Sequence, residues 1–197
     1  KKTGKFVMWA HVESADYSKA CAGVAVADSP VGPFVYQGSF RPNNAMSRDQ
    51  TVFVDDDGRA YQFYSSENNE TMYISLLTDD YLKPSGRFTR NFVKESREAP
   101  AVFKYNGKYY FSYSTGDTHL LCYATGDNPY GPFTYQGVIL TPVVGWTTHH
   151  AIVEFKGKWY LFHHDCVPSG GTTWLRSLKV CELEYDAEGK IKTIESV

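Results

Sequence analysis

Hydrophobic and polar positions alternate with the period of two expected of β-strands along most of the chain. Three segments share one layout: residues 53–64, 103–113 and 153–162 each run from an apolar strand through a tight turn ending in Gly58, Gly107 or Gly157 into a second strand rich in aromatics. Asp-Gly and Asn-Gly turns favour hairpins because their backbone must adopt positive φ. A shorter copy opens the chain, with Gly4 leading into Phe6, Val7 and Trp9. The turn glycines stand at 4, 58, 107 and 157, roughly fifty residues apart. No stretch carries a helical period.

A second motif recurs in step. Residues 28–38 and 127–137 agree at eight of eleven positions, including Gly32-Pro33-Phe34 and Gly131-Pro132-Phe133, at an offset of 99. Each copy follows an alternating run, 22–27 or 121–125. Proline cannot donate within a central strand, so the motif predicts the turn between the third and fourth strands of a unit. Four strands in about fifty residues, repeated, predict an all-β fold of propeller blades; a β-sandwich would not require such even spacing. The predicted blades are 1–46, 47–95, 96–145 and 146–197 of one propeller domain. The last three are expected to be complete. The first is expected to lack its inner strand, which would precede Lys1, and an open edge of this kind invites association into a homo-oligomer.

Composition narrows the partners. A net charge of −2 without a basic run gives no footprint for nucleic acid, and no apolar stretch is long enough for a membrane-spanning helix. Aromatic residues make up 16% of the chain, which suits strand packing first and sugar stacking second. The four cysteines, Cys21, Cys122, Cys166 and Cys181, lack CxxC spacing and read as small buried hydrophobes.

In a propeller the innermost strand of every blade lines the channel, so the residues that begin these strands converge at one mouth. Counting nine back from Gly58 gives Asp49, and nine back from Gly107 gives Glu98; His149 and His150 stand near the matching place before Gly157. Two carboxyl groups at such a mouth suit glycoside hydrolysis: one protonates the leaving oxygen while the charge of the other raises its pKa. On spacing alone, simple pairing with Arg48 and Arg97 explains Asp49 and Glu98 equally well. His149 and His150 read as ligands of a metal or water cluster, as substrate contacts, or as hydrogen-bonded core residues. His163, His164 and Asp165 read as structural. Asp55, Asp56 and Asp57 read as a solvated turn.

Residues 47–53 with the acidic turn 55–58, Tyr64 to Asn69, and Arg97-Glu98-Ala99-Pro100 resemble glycoside hydrolase family 43, particularly its exo-β-1,3-galactanase-like branch. Residues 112–125, 147–152 and 174–180 resemble its xylosidase and arabinofuranosidase branches more. The resemblance implies a five-bladed propeller that inverts configuration while cleaving arabinose-, xylose- or galactose-containing plant polysaccharide. It implies Glu98 as general acid, Asp49 as the residue that tunes the acid, His149 beside a calcium or sodium ion in the channel, and Arg176 as a contact to sugar hydroxyls. His150 is a further candidate substrate contact, and Trp146 and Tyr113 read equally as sugar-stacking walls or as packing residues. A secreted or periplasmic location is expected on the same ground. The family's general base lies on a blade expected to precede Lys1, leaving an acid and a modulator without an evident base. A non-catalytic scaffold or carbohydrate-binding module, truncated or recombined, is the alternative.

Overall fold

The computed structural model describes residues 4–145 and 149–196. They form strands β1 (Phe6–Val12), β2 (Cys21–Ala27), β3 (Val35–Phe40), β4 (Arg48–Val54), β5 (Ala60–Ser66), β6 (Thr71–Leu77), β7 (Pro84–Asn91), β8 (Glu98–Tyr105), β9 (Lys108–Ser114), β10 (Leu121–Gly126), β11 (Thr134–Leu140), β12 (Ala151–Phe155), β13 (Lys158–Asp165) and β14 (Ser177–Leu183). The strands pair as antiparallel meanders in chain order: β1-β2-β3, β4-β5-β6-β7, β8-β9-β10-β11 and β12-β13-β14. The four sheets span residues 6–40, 48–91, 98–140 and 151–183. Two compact units divide the chain, Lys1–Asn91 with the first two blades and Phe92–Val197 with the last two.

The sequence repeats are structural repeats. In both copies of the Gly-Pro-Phe motif the Gly–Pro peptide is cis and the glycine takes positive φ. The turn closes identically: Gly32 N–H donates to the Ser29 carbonyl and Gly131 N–H to the Asn128 carbonyl, each at 3.0 Å. A bulge follows in each, where pairing slips between Val24 and Ala25 against β3 and between Tyr123 and Ala124 against β11. The extra residues, Gln37 and Gln136, each return a side-chain N–H to the carbonyl two positions earlier. Such bulges are built features rather than defects.

The first blade has three strands, as expected. β1 holds the place that β5 and β9 hold in their blades, but only β2 pairs with it. Its burial differs accordingly: β5 is buried throughout, whereas Phe6 and Met8 of β1 are each 42% exposed. The last blade also has three strands, where four were expected. The segment after Leu183 turns back on itself through a Tyr185–Ile191 bridge, and Ile194 bridges in parallel to Leu140 at the end of β11. It extends the neighbouring blade instead of closing its own. Tyr110 OH donates to the Gly189 carbonyl at 2.6 Å, which pins this return.

Each unit has its own core. In the first, Trp9 of β1 donates to the Tyr81 carbonyl at 3.0 Å, and Tyr81 OH donates to the Gly58 carbonyl at 2.6 Å, tying the two blades. In the second, Phe103, Tyr110, Leu121, Tyr123, Ile139, Leu140, Leu161, Leu183 and Ile191 form one buried cluster, and Trp159 and Tyr185 pack on it. The aromatic surplus is spent mainly on these contacts.

Candidate active site

The inner strands β4 and β8 carry the same irregularity. On β4, pairing steps from Arg48–Ser65 to Thr51–Phe63, so Asp49 and Gln50 together oppose Tyr64. On β8, it steps from Glu98–Ser114 to Ala101–Ser112, so Ala99 and Pro100 oppose Tyr113. Asp49 and Ala99 both sit in the left-handed region at φ 52°. A short polar Asp tolerates that conformation; Ala has no such compensation and pays roughly 1 kcal/mol for it.

This register changes how the two carboxyl groups correspond. The turn after β4 is one residue longer than the turn after β8, so counting back from the glycines slips by one. In register the counterpart of Glu98 is Arg48, and the counterpart of Asp49 is Ala99. Asp49 is the left-handed residue of its bulge, while Glu98 precedes the left-handed residue of its own. Continuing the same fifty-residue step, His149 falls in line with Asp49 and Ala99, and His150 with Gln50 and Pro100. Asp49 and Glu98 are both partly buried at the start of their strands.

The histidines of the second unit gather. Ser112 Oγ donates to the Ala101 carbonyl at 3.2 Å, so its 2.7 Å contact with His150 Nε2 makes the imidazole the donor. His150 Nδ1 is then a buried acceptor with no hydrogen-bond partner among the described residues. Burial foremost, then His149 and His163, pushes the His150 pKa down to about 3. The His149 backbone N–H donates to His164 Nε2 at 3.3 Å, and the two rings stack with centroids 6.4 Å apart. Burial, followed by the charge of Arg176, lowers His164 to about 4. Both imidazoles are therefore neutral at pH 7.

Of the expected sugar contacts, Arg176 is exposed, donates from Nε to the Thr173 carbonyl at 3.1 Å, and lies within electrostatic reach of His164. Trp146 lies outside the described residues. Tyr113 takes the packing reading: it is fully buried, stacks on Phe111 and donates its hydroxyl to the Lys94 carbonyl at 2.8 Å, so it cannot present a face to sugar. Its burial follows from its place opposite the β8 bulge, where Tyr64 does the same in β5. The acidic turn is a turn: Asp57 accepts from the Arg59 backbone and guanidinium, and Asp55 from the Asp56 N–H.

Several residues near these positions had no separate signal. His164, expected to be structural, supports His149. Glu13 accepts from the backbone N–H groups of Ser14 and Lys19 at 3.1 and 3.0 Å and lies 3.4–3.5 Å from His11 and Arg48. A carboxylate so engaged is a brace for Arg48 and a poor base. Gln62, fully buried within the aromatic run of β5, bonds to Gln50. A glutamine among Tyr61, Phe63 and Tyr64 was the visible clue.

The sequence profile of glycosyl hydrolases family 43 matches residues 1–191. A xylosidase/arabinosidase of Bacteroides ovatus is 54% identical over an alignment that covers 88% of this chain and 65% of that relative, so the chain spans about two thirds of the relative's length. A family 43 β-xylosidase/α-arabinofuranosidase from a compost microbial metagenome, solved with xylotriose in a calcium-free form, superposes with a TM-score of 0.89 at 41% identity, covering 99% of this chain and 71% of that one. An exo-β-1,3-galactanase of Phanerochaete chrysosporium, solved with β-1,3-galactotriose, gives 0.82 at 27% identity, covering 98% and 46%.

Proposed function

This chain belongs to glycosyl hydrolase family 43, and from that premise we propose that it is the larger part of an inverting glycosidase that releases xylose or arabinose from plant oligosaccharides. The observation that carries the proposal is the paired bulge. Two strands depart from regular pairing at the same step, with Asp49 inside one departure and Glu98 beside the other, and the family resemblance gives these two residues catalytic roles. Xylose and arabinose are favoured over galactose because the xylosidase/arabinosidase of Bacteroides ovatus and the compost enzyme are 54% and 41% identical and the galactanase 27%.

In this proposal Glu98 protonates the glycosidic oxygen as the bond breaks, and a base activates water on the opposite face. Asp49 takes the role the family resemblance implies, tuning the acid, and accepts from sugar hydroxyls. Arg176 donates to the sugar, and His149 and the neutral His150 supply a polar lining suited to hydroxyl groups. Family membership also suggests a calcium or sodium ion at His149. The side chains described around it are imidazoles, whereas hard cations take six or more oxygens. Among the described residues no group of three His, Cys, Asp or Glu is placed to hold a metal. These residues do not fit such an ion as direct ligands.

The test is hydrolysis of aryl β-xylopyranoside, α-arabinofuranoside and β-galactopyranoside by the wild type and Glu98→Gln. Turnover of the first two that disappears in the variant is expected. Turnover unchanged by Glu98→Gln would remove the assignment, and binding of xylotriose without any turnover would favour a carbohydrate-binding role.

A further inference from the structure

The β4 and β8 bulges solve one problem differently. In each bulge two residues oppose one on the partner strand, and their conformations must be fixed without regular pairing. On β8 the second of them is Pro100, whose ring sets φ without help. On β4 the same position is Gln50, which has no such restriction. Its side chain is held from two directions instead. Gln62 Nε2 reaches across from β5 to Gln50 Oε1 at 2.6 Å, and Gln50 Nε2 donates to Ser47 Oγ at 2.7 Å. Exchanging O and N in both amides leaves the chain connected.

Both ends of this chain are anchored. Gln62 and Ser47 are each 0% exposed. Ser47 N–H donates to the Ala20 carbonyl at 3.0 Å, and its own carbonyl receives His11 Nδ1 at 3.3 Å. Gln50 lies two residues from Val52, which pairs with Gln62, so the bond is a diagonal cross-strand contact on one face of the sheet. Gln62 carries a cost that packing does not explain: its Oε1 is buried without a hydrogen-bond partner. At the register counterpart in β9 stands Phe111, fully buried among aromatics. An apolar residue would fill the Gln62 position more cheaply.

We propose that Gln62, Gln50 and Ser47 are positioning residues: their hydrogen-bonded chain brackets Arg48 and Asp49 and fixes the direction in which the Asp49 carboxylate leaves its left-handed backbone. The proposal rests on the hydrolase reading of Asp49. It extends that reading by naming what orients the carboxylate, a task Pro100 performs for the bulge beside Glu98.

The test combines kinetics with a double-variant cycle on aryl β-xylopyranoside. Gln62→Leu is expected to lower kcat about tenfold with KM changed less than about twofold, because a misdirected carboxylate weakens the transition state more than the ground state. The descending limb of the pH profile should move in the same direction as in Asp49→Asn. Adding Gln62→Leu to Asp49→Asn should then cost little more, since the relay has nothing left to orient. Should Gln62→Leu unfold, the combination Ser47→Ala, Gln50→Leu and Gln62→Leu removes every partner together and carries the test. Wild-type kcat and pH profile in folded relay variants, alongside a clear Asp49→Asn defect, would overturn the positioning role and leave the hydrolase intact. Multiplying losses in the double variant would also overturn it. Full turnover in both Asp49→Asn and Glu98→Gln would overturn the hydrolase reading and the relay with it.

Discussion

The bulges of β4 and β8 share their register, their φ of 52° and the buried tyrosine opposite, yet differ in where the acid stands. Asp49 occupies the left-handed position itself. Glu98 stands one residue earlier, with Ala99 taking the strained conformation. Successive strand residues face opposite sides, so a one-residue displacement within a bulge re-aims a side chain substantially. The same backbone device therefore serves two carboxyl groups without making them equivalent. That difference fits the proposal, which gives the two residues different roles.

Moving the carboxyl along the strand breaks that comparison most severely. Glu98→Ala with Ala99→Asp gives β8 the β4 arrangement, and turnover of an unactivated xylo-oligosaccharide is expected to fall by about a thousandfold without rescue. Recovery of activity in that variant would show that the one-residue displacement is irrelevant. Asp49→Asn keeps a side chain that tolerates φ 52°, so it should fold normally while losing about a hundredfold in kcat. On the proposed tuning role, its descending pH limb should move to lower pH.

Stability effects are smaller and separate the supports of the two strands. Ser112→Ala leaves the buried His150 Nε2–H without its acceptor and is expected to cost about 1–3 kcal/mol in urea unfolding. His150 also makes the second unit sensitive to acid. Its folded pKa is depressed to about 3 from 6.5, so the unfolded chain binds the proton first. Stability is complete above pH 6.5 and falls as pH drops from there toward 3. Replacing His150 with Gln should flatten that decline. The smallest effect is expected for Ala99→Gly: relief of the left-handed strain and the added freedom of the unfolded chain nearly cancel, leaving a change within about 0.5 kcal/mol.

Blade rhythm was legible because hairpins need glycine at fixed backbone positions, and Gly58, Gly107 and Gly157 mark them. The Gly-Pro-Phe copies were legible for the same reason. The correspondence of Asp49 with Glu98 was not, because one additional residue in the 55–59 turn shifts the count while leaving the glycine in place. Ala99 gave no sign of its positive φ, since alanine carries no turn preference. The three-stranded last blade was hidden because the segment after Leu183 follows strand-like patterning yet bridges to Leu140. The two readings of Tyr113 stayed level in the sequence because aromatic identity does not reveal which side of a strand faces a bulge.

Glu98 as the proton donor is tested most directly by comparing xylobiose with an aryl β-xylopyranoside as substrates for Glu98→Gln. Protonation matters most for the poor leaving group, so loss on xylobiose should exceed loss on the activated aryl substrate by at least about tenfold. Equal losses on the two substrates, or none on either, would contradict that assignment.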